Sequence, residues 1–269
     1  MSLHASMKSL LPVLGFLAVS TLAALLADDP SVSWPPPPLP PGPIATHAAP
    51  KIDWLYRFQT NLNNYKGPHD MIWDGDSITD GWQGAGHSVW LSRFGKIKIA
   101  DFGISGDQVQ HVLWRVQHGQ LDGQDPKLVM LMIGTNNLSQ NPGDVAAGIK
   151  MLVSEYEQRC PHAQILLLGI FPRSANPTDA PRDWIKKVNA VISGYASDKR
   201  VTYLDFGKNF LNADGTLPKE IMPDSLHPNP KGYEIWADAI TPVVEKYFPG
   251  QLGPAPGTPA ATMAAPPAK

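Results

Sequence analysis

Five short apolar runs separated by segments of helical periodicity constrain this chain more than any other feature. The runs fall at 71–73, 97–102, 128–133, 165–171 and 201–204. Runs of this length fit strands, and the near-continuous apolarity of the third and fourth implies a strand covered on both faces, as in a parallel sheet. Between the runs, Val145, Ile149, Leu152, Val153 and Tyr156 recur at helical spacing. Trp184, Val188, Val191, Ile192 and Tyr195 form a second stripe, and Tyr233, Trp236, Ala237, Ile240, Val244 and Tyr247 a third, with a kink expected at Pro242. Trp54, Phe58 and Leu62 predict a further helix before the first strand. Strands alternating with helices predict an α/β protein, a three-layer α/β/α sandwich.

The chain ends read differently. Lys8 precedes an apolar run at 10–26 that closes on Ala23, Ala24 and Ala27, the layout of an export signal, with Met7 an equally good start. Residues 1–27 are therefore expected to be a signal peptide and the protein secreted or periplasmic. An uncleaved membrane anchor is the other reading of the same run. Residues 28–50 carry Pro35-Pro36-Pro37-Pro38 and further prolines, an extended linker. Residues 250–269, rich in Pro, Ala, Gly and Thr, are expected to be disordered. That leaves 51–249 as one folded domain. Its single Cys160 has no intrachain disulfide partner, so the core must hold the fold. A net charge of -2 with mixed signs offers no footprint for nucleic acid.

Polar motifs follow the strands in order. Ser77, in Gly75-Asp76-Ser77, follows the first; Gly106 follows the second; Asn136, in Gly134-Thr135-Asn136-Asn137, follows the third. Asp224 and His227 lie beyond the fifth. Loops at the carboxyl ends of parallel strands share one edge, where ligands bind, so topology can unite residues far apart in sequence. Ser77 is a candidate nucleophile, His227 a base of suitable pKa range and Asp224 its orienting carboxylate. The Ser77 and Gly106 amides with the Asn136 side chain would supply three oxyanion donors. Singly, each motif also reads as a polar turn or helix cap. His69, His87, His111 and His118 lack metal-ligand spacing, and His111 reads as a partner for local polar groups. Trp73, Trp82 and Trp90 read either as pocket lining or, more simply, as core. No Gly-x-Ser-x-Gly elbow is present, which argues against the α/β-hydrolase fold.

On these residues the chain resembles the SGNH (GDSL-type) hydrolase superfamily. The blocks are Gly75-Asp76-Ser77-Ile78-Thr79, Phe102-Gly103-Ile104-Ser105-Gly106-Asp107, Gly134-Thr135-Asn136-Asn137 and Asp224-Ser225-Leu226-His227-Pro228. Gln110-His111-Val112-Leu113-Trp114-Arg115 and Phe171-Pro172-Arg173 are similar to the platelet-activating-factor acetylhydrolase catalytic-subunit branch and its bacterial esterases. The resemblance implies a flavodoxin-like five-stranded sheet, a Ser77–His227–Asp224 triad, an oxyanion hole of Ser77, Gly106 and Asn136, no metal and no cofactor. Asp101 and Ser105 depart from the residues common at those places in relatives. The expected activity is an exported serine esterase for short acyl, above all acetyl, esters of a small molecule or glycan. Acyl transfer to glycans, lysophospholipase or lipase action, and non-enzymatic glycan binding are the other readings. The branch also implies a homodimer as one state, and no stable membrane association follows once a signal is cleaved.

Overall fold

The computed structural model describes residues 42–254. Five parallel strands, β1 (Met71–Gly75), β2 (Ile99–Asp101), β3 (Leu128–Met132), β4 (Gln164–Leu168) and β5 (Val201–Leu204), form one sheet in the order β2-β1-β3-β4-β5. This is the flavodoxin-like order, which reverses direction between β1 and β3. All pairings are parallel, with β1 flanked by β2 and β3. The helices are α1 (Leu55–Asn64), α2 (Ser77–Asp80), α3 (His87–Phe94), α4 (Val109–Arg115), α5 (Pro142–Arg159), α6 (Ala180–Ile192) and α7 (Pro230–Tyr247).

Side chains alternate across each strand and so divide between two cores. Ile72, Val129, Leu131, Ile165 and Leu167 face Val112, Ile149, Val153 and Val188 of α4, α5 and α6. Met71, Trp73, Met130, Met132 and Leu166 face Phe94, Trp236, Ile240 and Val244 of α3 and α7. The α/β/α sandwich expected from the pattern is therefore the architecture. Trp73 and Trp82 are fully buried, 4.9 Å apart between ring centroids, and Trp90 packs on the same cluster, so these tryptophans are core.

The differences in detail have local causes. The second strand is shorter than 97–102 because this edge strand pairs only with Met71, Ile72 and Trp73 of β1. Val191 of the expected α6 stripe is exposed, while Ile185 and Asn189 turn inward. Asn189 is held there by hydrogen bonds to both backbone groups of Ile170. The α7 helix runs on through Pro242.

Part of the Pro-rich stretch is docked rather than extended. Residues Ile44–Thr46 form a 3-10 turn whose Ala45 is fully buried in the α4–α6 core. The Ala49 amide donates to the Gln110 carbonyl at 3.1 Å. At the other end, the Gly253 amide donates to the Arg93 carbonyl at 2.8 Å. The expected signal or anchor, the prolines before residue 42 and the tail after residue 254 lie outside the described residues. Among those described, no helix is long and apolar enough to cross a membrane.

One cation is buried inside this frame. Arg115 of α4 is paired with Asp74 at 3.1 Å and Asp107 at 2.9 Å, all three nearly inaccessible. Gln120 bonds both Arg115 and Asp74, and the Tyr156 hydroxyl donates to Asp74 at 2.5 Å. Removing one partner of such a cluster strands a buried charge. Arg115→Met should therefore cost about 3–5 kcal/mol of stability, read from urea unfolding, with an unchanged midpoint as the contrary result.

Candidate active site

The β1 strand ends at Gly75, and the chain turns at once into α2, whose first residue is Ser77. A side chain at position 75 would stand 2.3 Å from the Met132 carbonyl of β3, so only glycine lets the two strand ends approach this closely. Asp76 caps α2 by accepting the Ile78 amide at 3.0 Å. Ser77 thus stands at the carboxyl edge of the sheet, beside the point where strand order reverses.

His227 and Asp224 arrive from the loop before α7. The Ser77 Oγ lies 2.9 Å from His227 Nε2, and His227 Nδ1 lies 2.6 Å from Asp224 Oδ2. Asp224 Oδ1 also accepts the backbone amides of Leu226 at 3.0 Å and His227 at 2.7 Å. These bonds close a tight turn in which Ser225 takes a left-handed φ of 60°. Burial alone would raise the Asp224 pKa. Its hydrogen bonds to His227, the charge there and the Leu226 amide outweigh burial and lower it. The carboxylate therefore stays ionised at neutral pH and can stabilise an imidazolium. Both side chains are open, His227 at 42% and Asp224 at 55% exposure, so water reaches the imidazole.

The two candidate donors on the neighbouring loops are tied together through Asp107, the residue after Gly106. Asn136 Nδ2 donates to the Asp107 carbonyl at 2.9 Å, which leaves its second N–H free. Gly106 has φ +74°, a conformation that favours glycine, in the loop after β2. Among the described residues, neither the Ser77 nor the Gly106 amide donates a hydrogen bond. Arg173 holds the adjoining loop by donating to the Thr135 carbonyl at 2.8 Å. Asn137, fully buried, accepts the Val109 amide at 3.1 Å and so fixes the start of α4.

A cleft of about 600 Å³ opens over this edge, lined by Ser77, Ser105, His227, Pro228, Gln83 and Trp54, among others. Trp54 and Arg57 come from the N-terminal helix and its approach, and Arg57 pairs with Asp80 at 2.6 Å across the cleft wall. Sequence reasoning read Trp54 as a helix-face residue; it is 40% exposed. No local pattern marks Lys51, Arg57 or Arg115 as part of the site, since each reaches it through tertiary contacts. His111 is a local polar partner, as expected: its Nδ1 accepts the Gln108 amide at 3.0 Å. Burial, then Lys51 and Arg115, push its pKa down to about 4, so the ring is neutral. Cys160 is buried, with its thiol pushed up to about 11 by burial. No cluster of three or more metal-ligating side chains occurs among the described residues.

A serine within hydrogen-bond reach of an imidazole, itself held by a carboxylate, at the carboxyl edge of a parallel sheet defines an acyl-hydrolase class of site. Comparison with known proteins gives the family. Residues 75–235 match the model of the GDSL-like Lipase/Acylhydrolase family. Platelet-activating factor acetylhydrolase IB subunit alpha1 of Bos taurus is 33% identical over 165 residues, covering 61% of this chain and 70% of the relative. The alpha2 subunit of Rattus norvegicus is 32% identical over 194 residues, covering 70% and 83%. A GDSL-like lipase structure from Bacteroides thetaiotaomicron superposes with a TM-score of 0.60 at 20% identity, over 71% of this chain and 97% of that one. An acetylxylan esterase from Geobacillus stearothermophilus gives 0.53 at 19% identity, over 68% and 95%. The chain belongs to the GDSL-like lipase/acylhydrolase family, and it is a carboxylic ester hydrolase.

Asp76 yields a test of the site's electrostatics. It is fully buried, and that burial, only partly offset by the Ile78 amide, lifts its pKa to about 7. The folded state therefore keeps a proton that the unfolded chain releases above its ordinary value, so stability falls as pH rises from about 4 to about 7. Asn caps a helix as well as Asp. Asp76→Asn should be more stable than the parent at pH 8, on the order of 1 kcal/mol or more, with the difference closing near pH 4 in urea titrations.

Proposed function

We propose that the protein is an exported serine esterase that removes short acyl groups, acetyl above all, from an alcohol, with Ser77 as nucleophile, His227 as base and Asp224 as its orienter. The observation that carries this reading is the unbroken chain of contacts from Ser77 Oγ through His227 to Asp224, at 2.9 and 2.6 Å. In acylation, Ser77 Oγ attacks the ester carbonyl carbon as its proton passes to His227 Nε2. The carbonyl oxygen becomes an oxyanion, met by the Ser77 and Gly106 amides and the free N–H of Asn136. Collapse breaks the bond to the alcohol oxygen, which takes the proton from His227. Water then attacks the acyl-serine with His227 again as base, releasing the carboxylic acid and restoring the Ser77 hydroxyl.

The cleft lining supports a short acyl group. Its residues are Trp54, Arg57, Ser77, Asp80, Gly81, Gln83, Gly84, Ala85, Ser105, His227, Pro228 and Tyr233, without a single Leu, Ile, Val, Met or Phe. A long acyl chain needs a continuous apolar wall, since each buried methylene contributes about 0.8 kcal/mol. An acetyl group needs none. The named activities of the acetylhydrolase subunits and of the acetylxylan esterase agree in acyl group and differ in alcohol. Export rests on the N-terminal segment alone: Lys8, the apolar run and its small-residue end.

Ser77→Ala should lower kcat/KM on an aryl acetate by at least about 10⁴-fold while far-UV circular dichroism stays unchanged; retained turnover would remove Ser77 from its role. On aryl esters of graded length, acetate should exceed octanoate by at least about tenfold in kcat/KM. A preference for long chains would instead point to a lipase. Mass spectrometry of protein recovered outside the cytoplasm should find a new N-terminus near residue 27, whereas an intact N-terminus there would indicate an anchor.

A further inference from the structure

The oxyanion site of this chain has a component that lies outside the matched family region of 75–235. The Lys51 ammonium donates a hydrogen bond to the Ser105 carbonyl at 2.6 Å. That carbonyl and the Gly106 amide belong to one peptide group. In a trans peptide the C=O and N–H point in opposite directions. A cation fixed on the oxygen therefore holds the N–H of Gly106 facing away from Lys51, and that N–H has no partner among the described residues. We propose that Lys51 is a positioning residue for the reaction, one that locks and polarises the Ser105–Gly106 peptide so that the Gly106 amide is a stronger donor to the oxyanion. The inference rests on the esterase reading above and extends it to a residue of the N-terminal strap.

Two physical effects act together. Charge on the carbonyl oxygen draws electron density along the amide and strengthens the N–H as a donor, on the order of 10–30% per linked bond. The hydrogen bond also removes freedom from a loop whose glycine would otherwise sample several backbone states. A donor prearranged before the charge develops is what lowers an acyl-transfer barrier.

Lys51 is itself well held. Its ammonium sits 5.0 Å from the centre of the Trp54 ring. The strap that carries it is anchored by Ala45, whose carbonyl would stand 2.4 Å from a side chain at Gly148 of α5. Beneath Lys51 lies a cavity of only about 10 Å³, shared with Asp107, His111, Trp114 and Arg115. A space of that size is at the lower limit for one water. The charged and titratable groups facing Lys51 are Asp53 on its own strap, Asp76 at the end of β1, Asp107 in the loop after β2, and Arg115 and His111 on α4. Burial lowers the Lys51 pKa from its ordinary value of 10.5, with Arg115 adding to this and the three carboxylates opposing it. The charged form, and with it the polarised amide, is present below that lowered pKa and is lost as pH rises through it.

The test compares Lys51→Met and Lys51→Arg with the parent on an aryl acetate, each checked for native unfolding midpoint in urea. Met keeps an unbranched stem and removes the charge; Arg keeps the charge at every accessible pH. Lys51→Met should lower kcat about tenfold or more with KM changed less than about twofold. Lys51→Arg should restore most of that loss. The parent should lose kcat on the alkaline side below pH 10.5, and both variants should lack that limb. A kcat for Lys51→Met within twofold of the parent overturns the inference, as does an alkaline limb retained in both variants. So does a loss confined to KM. If Ser77→Ala stays active, the esterase reading fails; if it is inactive while Lys51→Met matches the parent, only the role of Lys51 fails.

Discussion

The buried Arg115 guanidinium is the constraint on which the site's geometry depends. It binds Asp74, two residues before the cap of the Ser77 helix, and Asp107, the residue after Gly106. Through the Asp107 carbonyl it is one step from Asn136. The end of β1 and the loops after β2 and β3 are thereby referred to one cation in a water-poor interior. Desolvation opposes the charge on Arg115, and Asp74 and Asp107 outweigh it, so its pKa is raised. Asp107 itself is pushed up to about 6 by burial despite the guanidinium beside it. A cluster held at that cost is weak evidence for stability as such. Its value here is directional: a fork of donors in fixed planar geometry sets angles as well as distances.

Much of the fold was legible because a parallel sheet covered on both faces writes itself as unbroken apolar runs. The runs at 128–133 and 201–204 became β3 and β5 almost residue for residue. The run at 165–171 overshot, since Ile170 and Phe171 are buried without joining the ladder. The α6 stripe misplaced Val191 because a polar residue, Asn189, takes an inward position by bonding Ile170, and hydrophobic periodicity does not register polar groups that satisfy themselves inside.

The candidate site was legible where chemistry demands a particular residue type. Few residue types suit a nucleophile, a base and its orienter, and Ser77, His227 and Asp224 are of those types, each following a strand or preceding a helix as the topology requires. Gly106 was legible by its place after the second strand, and it has the positive φ that glycine permits. Lys51, Trp54 and Arg57 were not. A lysine at the end of a proline-rich stretch looks like a solvated terminus, and nothing local announces a bond to a carbonyl 54 residues away. Ala45 likewise reads as linker until the glycine at 148 gives its turn somewhere to lie.

The separation of 150 residues between Ser77 and His227 has a consequence for the life of the chain before it is finished. Synthesis delivers the serine early and its imidazole late, on a loop whose position depends on the docking of α7 against β1 and α3. On the proposed mechanism, a chain in which that helix is not seated leaves the Ser77 hydroxyl without a base, an ordinary alcohol. Under that proposal the reactive state requires the last helix of the described chain as well as the first strand. A chain cut short before residue 224 would then carry every early motif and, on the proposed mechanism, none of the reactivity.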